Sequence, residues 1–146
     1  MIFFSIDCPS AIGPVFVTAS ASRNTTIKSY KYPWDYDNNM VCEWHVQIER
    51  KFLFGDYVLK VVFNDFELEA EPAPSSSVCP YDNLTIYNGD SDFSPLLGSY
   101  CGTVHPEVVY STGNNLYIKF STDKINSFRG FSISILVVEE GNNTKC

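Results

Sequence analysis

"VCEWHVQIE", residues 41–49, alternates with a period of two: Cys42, Trp44, Val46 and Ile48 on one side, Glu43, His45, Gln47 and Glu49 on the other. That period belongs to a β-strand with one face in a core and one in water. The same alternation returns in "NLYIKF" (115–120), with Leu116, Ile118 and Phe120 inward and Tyr117 and Lys119 outward. It returns again in "GFSISILV" (130–137), where Phe131, Ile133, Ile135 and Val137 oppose Ser132 and Ser134. "YVLKVVFNDFELE" (57–69) and "NLTIYNG" (83–89) are strand-like as well, and Gly, Pro, Asn, Asp and Ser punctuate the stretches between. No stretch reads as a convincing amphipathic helix. A sheet with one apolar face must bury it against another layer, so the expected architecture is all-β, two packed antiparallel sheets.

Within that frame Trp44, Phe63 and Phe131 read as core, while Trp34 in "YPWDY" suits either packing or a ligand platform. The biased stretch "EAEPAPSSS" (69–77) reads as an exposed hairpin loop. No internal repeat is apparent. The 146 residues suit one domain, and at 45% hydrophobic and 18% charged the composition is globular. A net charge of -7 argues against nucleic acid and anionic membranes as partners and leaves cations or basic proteins. No apolar run approaches the roughly 18 residues of a membrane span, and "MIFFSI" lacks the basic flank of a secretory signal.

The five cysteines, 8, 42, 79, 101 and 146, lack the close C-x-x-C spacing of zinc or redox sites and read as disulfide partners in an extracellular setting. Sequons at Asn24, Asn83 and Asn142 agree with a secreted glycoprotein. The two histidines, His45 and His105, read as surface residues, and no nucleophile motif such as G-x-S-x-G accompanies them, so self-contained catalysis is not expected.

The ordered set "YPWDY", "CEWHVQI", "FNDFELE", "CPYDNLTIYNG", "LLGSYCG", "NNLYIKFSTD" and "RGFSISI" resembles the CUB domain, an extracellular module of about this length, from about residue 30 to 137. The N-terminal part departs from the family, which opens with Cys-Gly and a "SPNYP"-like turn where this chain has "CPS" and "SYKYP". The resemblance implies a jellyroll-like β-sandwich over residues 8–138, with 1–7 an extension and 139–146 a tail or linker. It also implies disulfides Cys8–Cys42 and Cys79–Cys101, which leaves Cys146 for another domain or another chain.

Some CUB domains hold calcium at one end of the sandwich, and Glu69, Asp82 and Asp123 fall on the three acidic positions of that signature. By the same resemblance Asn126 supplies a further side-chain oxygen, carbonyls near Lys124 and Ile125 complete the shell with water, and Tyr36 hydrogen-bonds the acids. The physics agrees: two carboxylates about 4 Å apart repel by roughly 4 kcal/mol at an effective dielectric of 20, so three that converge need protons or a cation. Calcium takes 6 to 8 hard oxygen ligands, whereas zinc would want His or Cys. The resemblance further implies that Glu69, Asp82 and Tyr36 accept a Lys or Arg from a partner protein. A glycan on Asn83, beside Asp82, would restrict access to that end. The other readings are a calcium-independent adhesive or carbohydrate-binding CUB module and a non-catalytic part of a secreted multidomain protease.

Overall fold

The structure, a computed structural model, describes residues 13–52, 55–70 and 79–142. Among the described residues nine strands form two sheets: β1 (Val15–Ala19), β2 (Thr25–Lys28), β3 (Val41–Ile48), β4 (Tyr57–Glu67), β5 (Asn83–Tyr87), β6 (Leu96–Tyr100), β7 (Val109–Tyr110), β8 (Asn115–Ser121) and β9 (Gly130–Glu139). The five-stranded sheet runs β1-β3-β8-β5-β6 and the four-stranded sheet β2-β9-β4-β7. Helical structure among the described residues is confined to 3₁₀ turns at Arg50–Phe52 and Glu140–Asn142. The two packed sheets expected from the alternation are present, in the jellyroll-like sandwich that the CUB resemblance implies. One pairing departs from antiparallel: β1 lies parallel to β3, because the chain crosses to the other sheet for β2 before returning.

The inward set of β3 is fully buried, Cys42, Trp44, Val46 and Ile48 each at 0–1% exposure, and it packs with Leu116, Ile118 and Phe120 of β8 against Phe131, Ile133 and Ile135 of β9. Edge-on ring contacts join the layers, Trp44 to Phe131 at 6.1 Å and Phe120 to Phe131 at 5.1 Å between centroids. Phe63 is likewise core, whereas Trp34 is exposed.

A bulge decides what β4 presents. Val61 and Phe63 point inward, but the register against β9 shifts between Phe63 and Asp65, and thereafter Phe66 and Leu68 are the buried positions. The extra residue, Asn64, moves the inward set from odd to even numbers. Asp65 and Glu67 are thereby kept on the outer side, and the strand delivers Glu69 to the end of the sandwich.

Cys79–Cys101 is bonded and ties the approach to β5 to the end of β6. A bridge over 22 residues contributes about 3 kcal/mol in the chain-entropy account. Cys42 is buried, and its expected partner Cys8 lies outside the described residues, as do Cys146 and residues 71–77 of the expected hairpin loop.

Candidate metal centre

Glu69, Asp82 and Asp123 come from three separate stretches and meet at one end of the sandwich, each offering a carboxylate oxygen within 4.8 Å of the others. Asp82 is fully buried and Glu69 is 7% exposed. Their backbones are held by different means. Asp82 immediately precedes β5, where Asn83 pairs with Ser121 and Leu84 with Phe120. Glu69 follows Leu68, whose amide donates to the Gly102 carbonyl at 3.0 Å. Asp123 follows β8 and is tied to the 36–40 segment: Asn39 N donates to its carbonyl at 2.8 Å, Thr122 N to Met40 O at 2.9 Å, and Thr122 Oγ1 to Asp37 O at 2.9 Å. Asn39 and Asn126 adopt left-handed φ of 57° and 60°, a conformation asparagine tolerates better than most residues.

Tyr36 closes the inner side. It is 1% exposed, its ring meets Phe120 edge-on at 5.2 Å, and its hydroxyl donates to Asp82 Oδ2 at 2.5 Å while accepting from Glu69 N at 3.3 Å. Asp82 Oδ1 accepts from Asp123 N at 2.8 Å, and Asp123 Oδ1 from Ile125 N at 3.2 Å. Asn126 donates its amide to Glu69 Oε1 at 2.9 Å, which leaves the oxygen of the same amide group beside the cluster. Glu69 Oε2 is buried and has no hydrogen-bond partner.

The electrostatic consequence is direct. Burial pushes the Glu69 carboxyl above the usual carboxylate range, and the charges of Asp123 and Asp82 push it further. Burial also raises Asp82, with Asp123 adding to it, against the opposing bonds from Tyr36 and the Asp123 amide. Burial and then Asp82 hold the Tyr36 phenol far above its ordinary value, so it stays protonated and donates. A buried carboxylate oxygen without a donor, facing two more carboxylates, is the arrangement a hard cation relieves. All the side-chain donors here are oxygens, which suits calcium and not zinc.

A second cluster lies at the base of the same region. Arg129 grips Asp65 through two bonds, Nε to Oδ2 at 2.7 Å and Nη2 to Oδ1 at 2.8 Å, and Glu67 through Nη1 at 2.7 Å. Tyr32 Oη donates to Asp65 Oδ2 at 2.6 Å. The Arg129 bonds hold the Asp65 carboxyl down at about 2. This fork ties the segment bearing Tyr36 to β4, and sequence reasoning missed it. The acids in "FNDFELE" and the arginine of "RGF" were the available signal, but only the bulge in β4 turns Asp65 and Glu67 to the outer side.

Asn24 is exposed, and Asn83 points to the outer face of its sheet while its neighbours Asp82 and Leu84 point in. The sequon therefore faces away from the acids. The side chain of Asn142 lies outside the described residues. His45 bonds Asn115 Oδ1 through Nε2 at 2.8 Å, and His105 is exposed in a loop. No helix among the described residues is long and apolar enough to cross a membrane.

With this geometry established, a family model for the CUB domain matches residues 17–135. The chain belongs to the CUB family. It is 36% identical over 129 residues to cubilin of Canis lupus familiaris, covering 85% of this chain and 3% of cubilin. It is 36% identical over 108 residues to bone morphogenetic protein 1 of Xenopus laevis, covering 74% of this chain and 14% of that protein. The chain thus spans a small part of the curated relatives it matches. The crystal structure of the MASP-1 CUB2 domain bound to Ca2+ superposes with a TM-score of 0.67 at 28% identity, covering 84% of this chain and 96% of that one. CUB domains are typically non-catalytic modules of larger proteins, and this CUB module carries a buried acidic cluster able to hold a metal.

Proposed function

We propose that this CUB module works outside the cell as a calcium-dependent protein-binding domain. Glu69, Asp82, Asp123 and Asn126 hold the ion, and Glu69, Asp82 and Tyr36, at 7%, 0% and 1% exposure, accept a lysine or arginine of a partner protein once the end of the sandwich opens to it. The observation that carries the reading is Glu69 Oε2, a buried acceptor with no donor in a cluster of three carboxylates. The Ca2+ complex of the MASP-1 CUB2 domain supports it by similarity. Bound calcium would neutralise the carboxylates and let them share a site without taking up protons. The chain's own residues do the positioning: Tyr36 orients Asp82, the Asp123 amide fixes its other oxygen, and the net charge of -7 draws a basic partner.

The module occupies residues 8–138, with 1–7 an extension and 139–146 a tail or linker, and Cys146 pairs with another domain or another chain. A single charge-assisted contact is worth roughly 1.5 to 3 kcal/mol, so useful affinity comes from several modules engaged at once. The test immobilises a biotinylated oligolysine peptide at high density and titrates the protein in calcium and in chelator. Binding that falls with chelator and with salt is expected, and equal affinity in both would remove the proposal.

A further inference from the structure

A row of aromatic and apolar side chains crosses the solvent face of the five-stranded sheet. Phe16 on β1, His45 on β3, Tyr117 on β8, Tyr87 on β5 and Leu96 on β6 are successive register partners. Phe16 and His45 rings lie 5.1 Å apart and those of Tyr87 and Tyr117 6.4 Å. Phe16 is 75% exposed and Leu96 57%. Tyr117 at the centre is only 7% exposed, so the open part of the row on the β5 side is the half-buried Tyr87 with Leu96 beside it.

Asn83 opens β5 on the same face, four residues before Tyr87, a distance of about 13 Å at the rise of an extended strand. Between them lies a polar row in register, Thr85, Lys119 and Glu43, with Lys119 Nζ 3.7 Å from Glu43 Oε1. Asn83 heads the sequon Asn83-Leu84-Thr85, and its half-buried side chain is on the outer side of the strand, opposite the buried Asp82 and Leu84.

We propose that Asn83 carries an N-linked glycan that lies along this face, its first sugars over Thr85, Lys119 and Glu43 and the following ones against the Tyr87 ring and its exposed register partner Leu96. The linkage forms between Asn83 Nδ2 and the anomeric carbon of a sugar as that carbon's bond to a polyprenyl diphosphate donor breaks; the diphosphate leaves and the amide gives up one proton. The acetamide and hydroxyl groups of the sugars match the polar row, and their C–H faces match the aromatic one. The glycan thereby covers apolar surface and lies clear of the acidic end, because Asp82 and Asn83 face opposite ways on the strand. The inference depends on passage through secretory compartments and not on calcium.

The test expresses the chain in a glycosylating eukaryotic host and maps the Asn83 peptide by mass spectrometry. Occupied Asn83 is expected, with Asn83→Gln lowering Tm by about 3 °C, the scale of one modest surface contact. Tyr87→Ala should abolish that difference and speed release of the glycan by peptide-N-glycosidase under native conditions several-fold, leaving release from denatured protein unchanged. Tyr87→Leu keeps apolar volume without the ring and serves if the alanine variant does not fold. An unoccupied Asn83, or a Tm difference and native release rate indifferent to residue 87, would overturn the proposal. The calcium-dependent rise in Tm should be the same in Asn83→Gln, which separates this result from the fate of the metal reading.

Discussion

Replacing Glu69 with glutamine should stabilise the calcium-free protein and abolish its response to calcium, two effects of opposite sign from one substitution. Glu69 shares a space with Asp82 and Asp123 in which carboxylate oxygens lie within 4.8 Å of each other. At that separation and an effective dielectric of 20, each pair repels by about 3.5 kcal/mol. Glu69→Gln deletes two of these pairs, about 7 kcal/mol with all three carboxylates ionised at that outer separation. Burial and then the charges of Asp123 and Asp82 push the Glu69 carboxyl up, and any proton it takes up lowers the relief below that figure. The glutamine carbonyl can still accept from Asn126, and its amide can donate to the two remaining carboxylates, so no buried group is stranded.

The ligand arm is worked separately. For an extracellular calcium module with Kd near 10⁻⁴ M, calcium at about 10 mM stabilises the folded form by about 2.7 kcal/mol. At about 3 °C per kcal/mol for a domain of this size, wild-type Tm should rise by about 8 °C from chelator to calcium. In Glu69→Gln the chelator Tm should lie a few degrees above wild type and the calcium increment should shrink to near zero. Differential scanning calorimetry at pH 7.5 reads both. A wild-type Tm indifferent to calcium, or a Glu69→Gln variant less stable than wild type in chelator, would refute the electrostatic argument.

Tyr36→Phe removes the donor to Asp82 Oδ2 and the acceptor for Glu69 N in a buried site; a loss of about 1.5 to 3 kcal/mol is expected from urea titration, with weaker calcium binding by calorimetry. Asp65 is held down at about 2 in the folded state, so its contribution is present above the unfolded carboxyl's value near 4 and is lost as pH falls towards about 2. Urea melts from pH 7 to 2 should show the stability gap between wild type and Asp65→Asn constant above pH 5 and shrinking below pH 4; a gap independent of pH would contradict this. Gly130 has φ of +93°, and a Cβ there would collide with Ser29 Oγ, whose hydroxyl accepts from Phe131 N at 3.0 Å. Gly130→Ala should therefore cost about 2 to 4 kcal/mol in chemical denaturation, while Gly113→Ala, where a Cβ meets nothing within 4 Å, serves as the neutral control.

The strands were legible wherever the two-residue period ran unbroken. In β3 the apolar positions 42, 44, 46 and 48 are the buried ones, and in β9 the phenylalanine, two isoleucines and valine expected inward all are. The period failed in β4, where one inserted residue shifts the buried set, and strict alternation from Val61 would have turned Asp65 inward. Tyr117 was expected outward and is so by register, yet it is 7% exposed because its neighbours on the outer face cover it. Alternation reports the side of a sheet and says nothing of what lies over that side.

The identity and order of the acids are readable by resemblance, and the physics of crowded carboxylates follows from their charge alone. Their convergence is not readable in this way. Glu69, Asp82 and Asp123 are 13 and 41 residues apart in the chain, and their meeting depends on the pairing of β5 with β8 and on the 36–40 segment binding the end of β8. The lone buried oxygen of Glu69, the Arg129 fork on Asp65, and the aromatic row on the face bearing Asn83 belong to the folded chain alone. A single strand's residue types set which side meets water through local sterics and hydrophobicity, whereas distances between side chains on different strands follow from register, bulges and loop closure, which many weak contacts decide together.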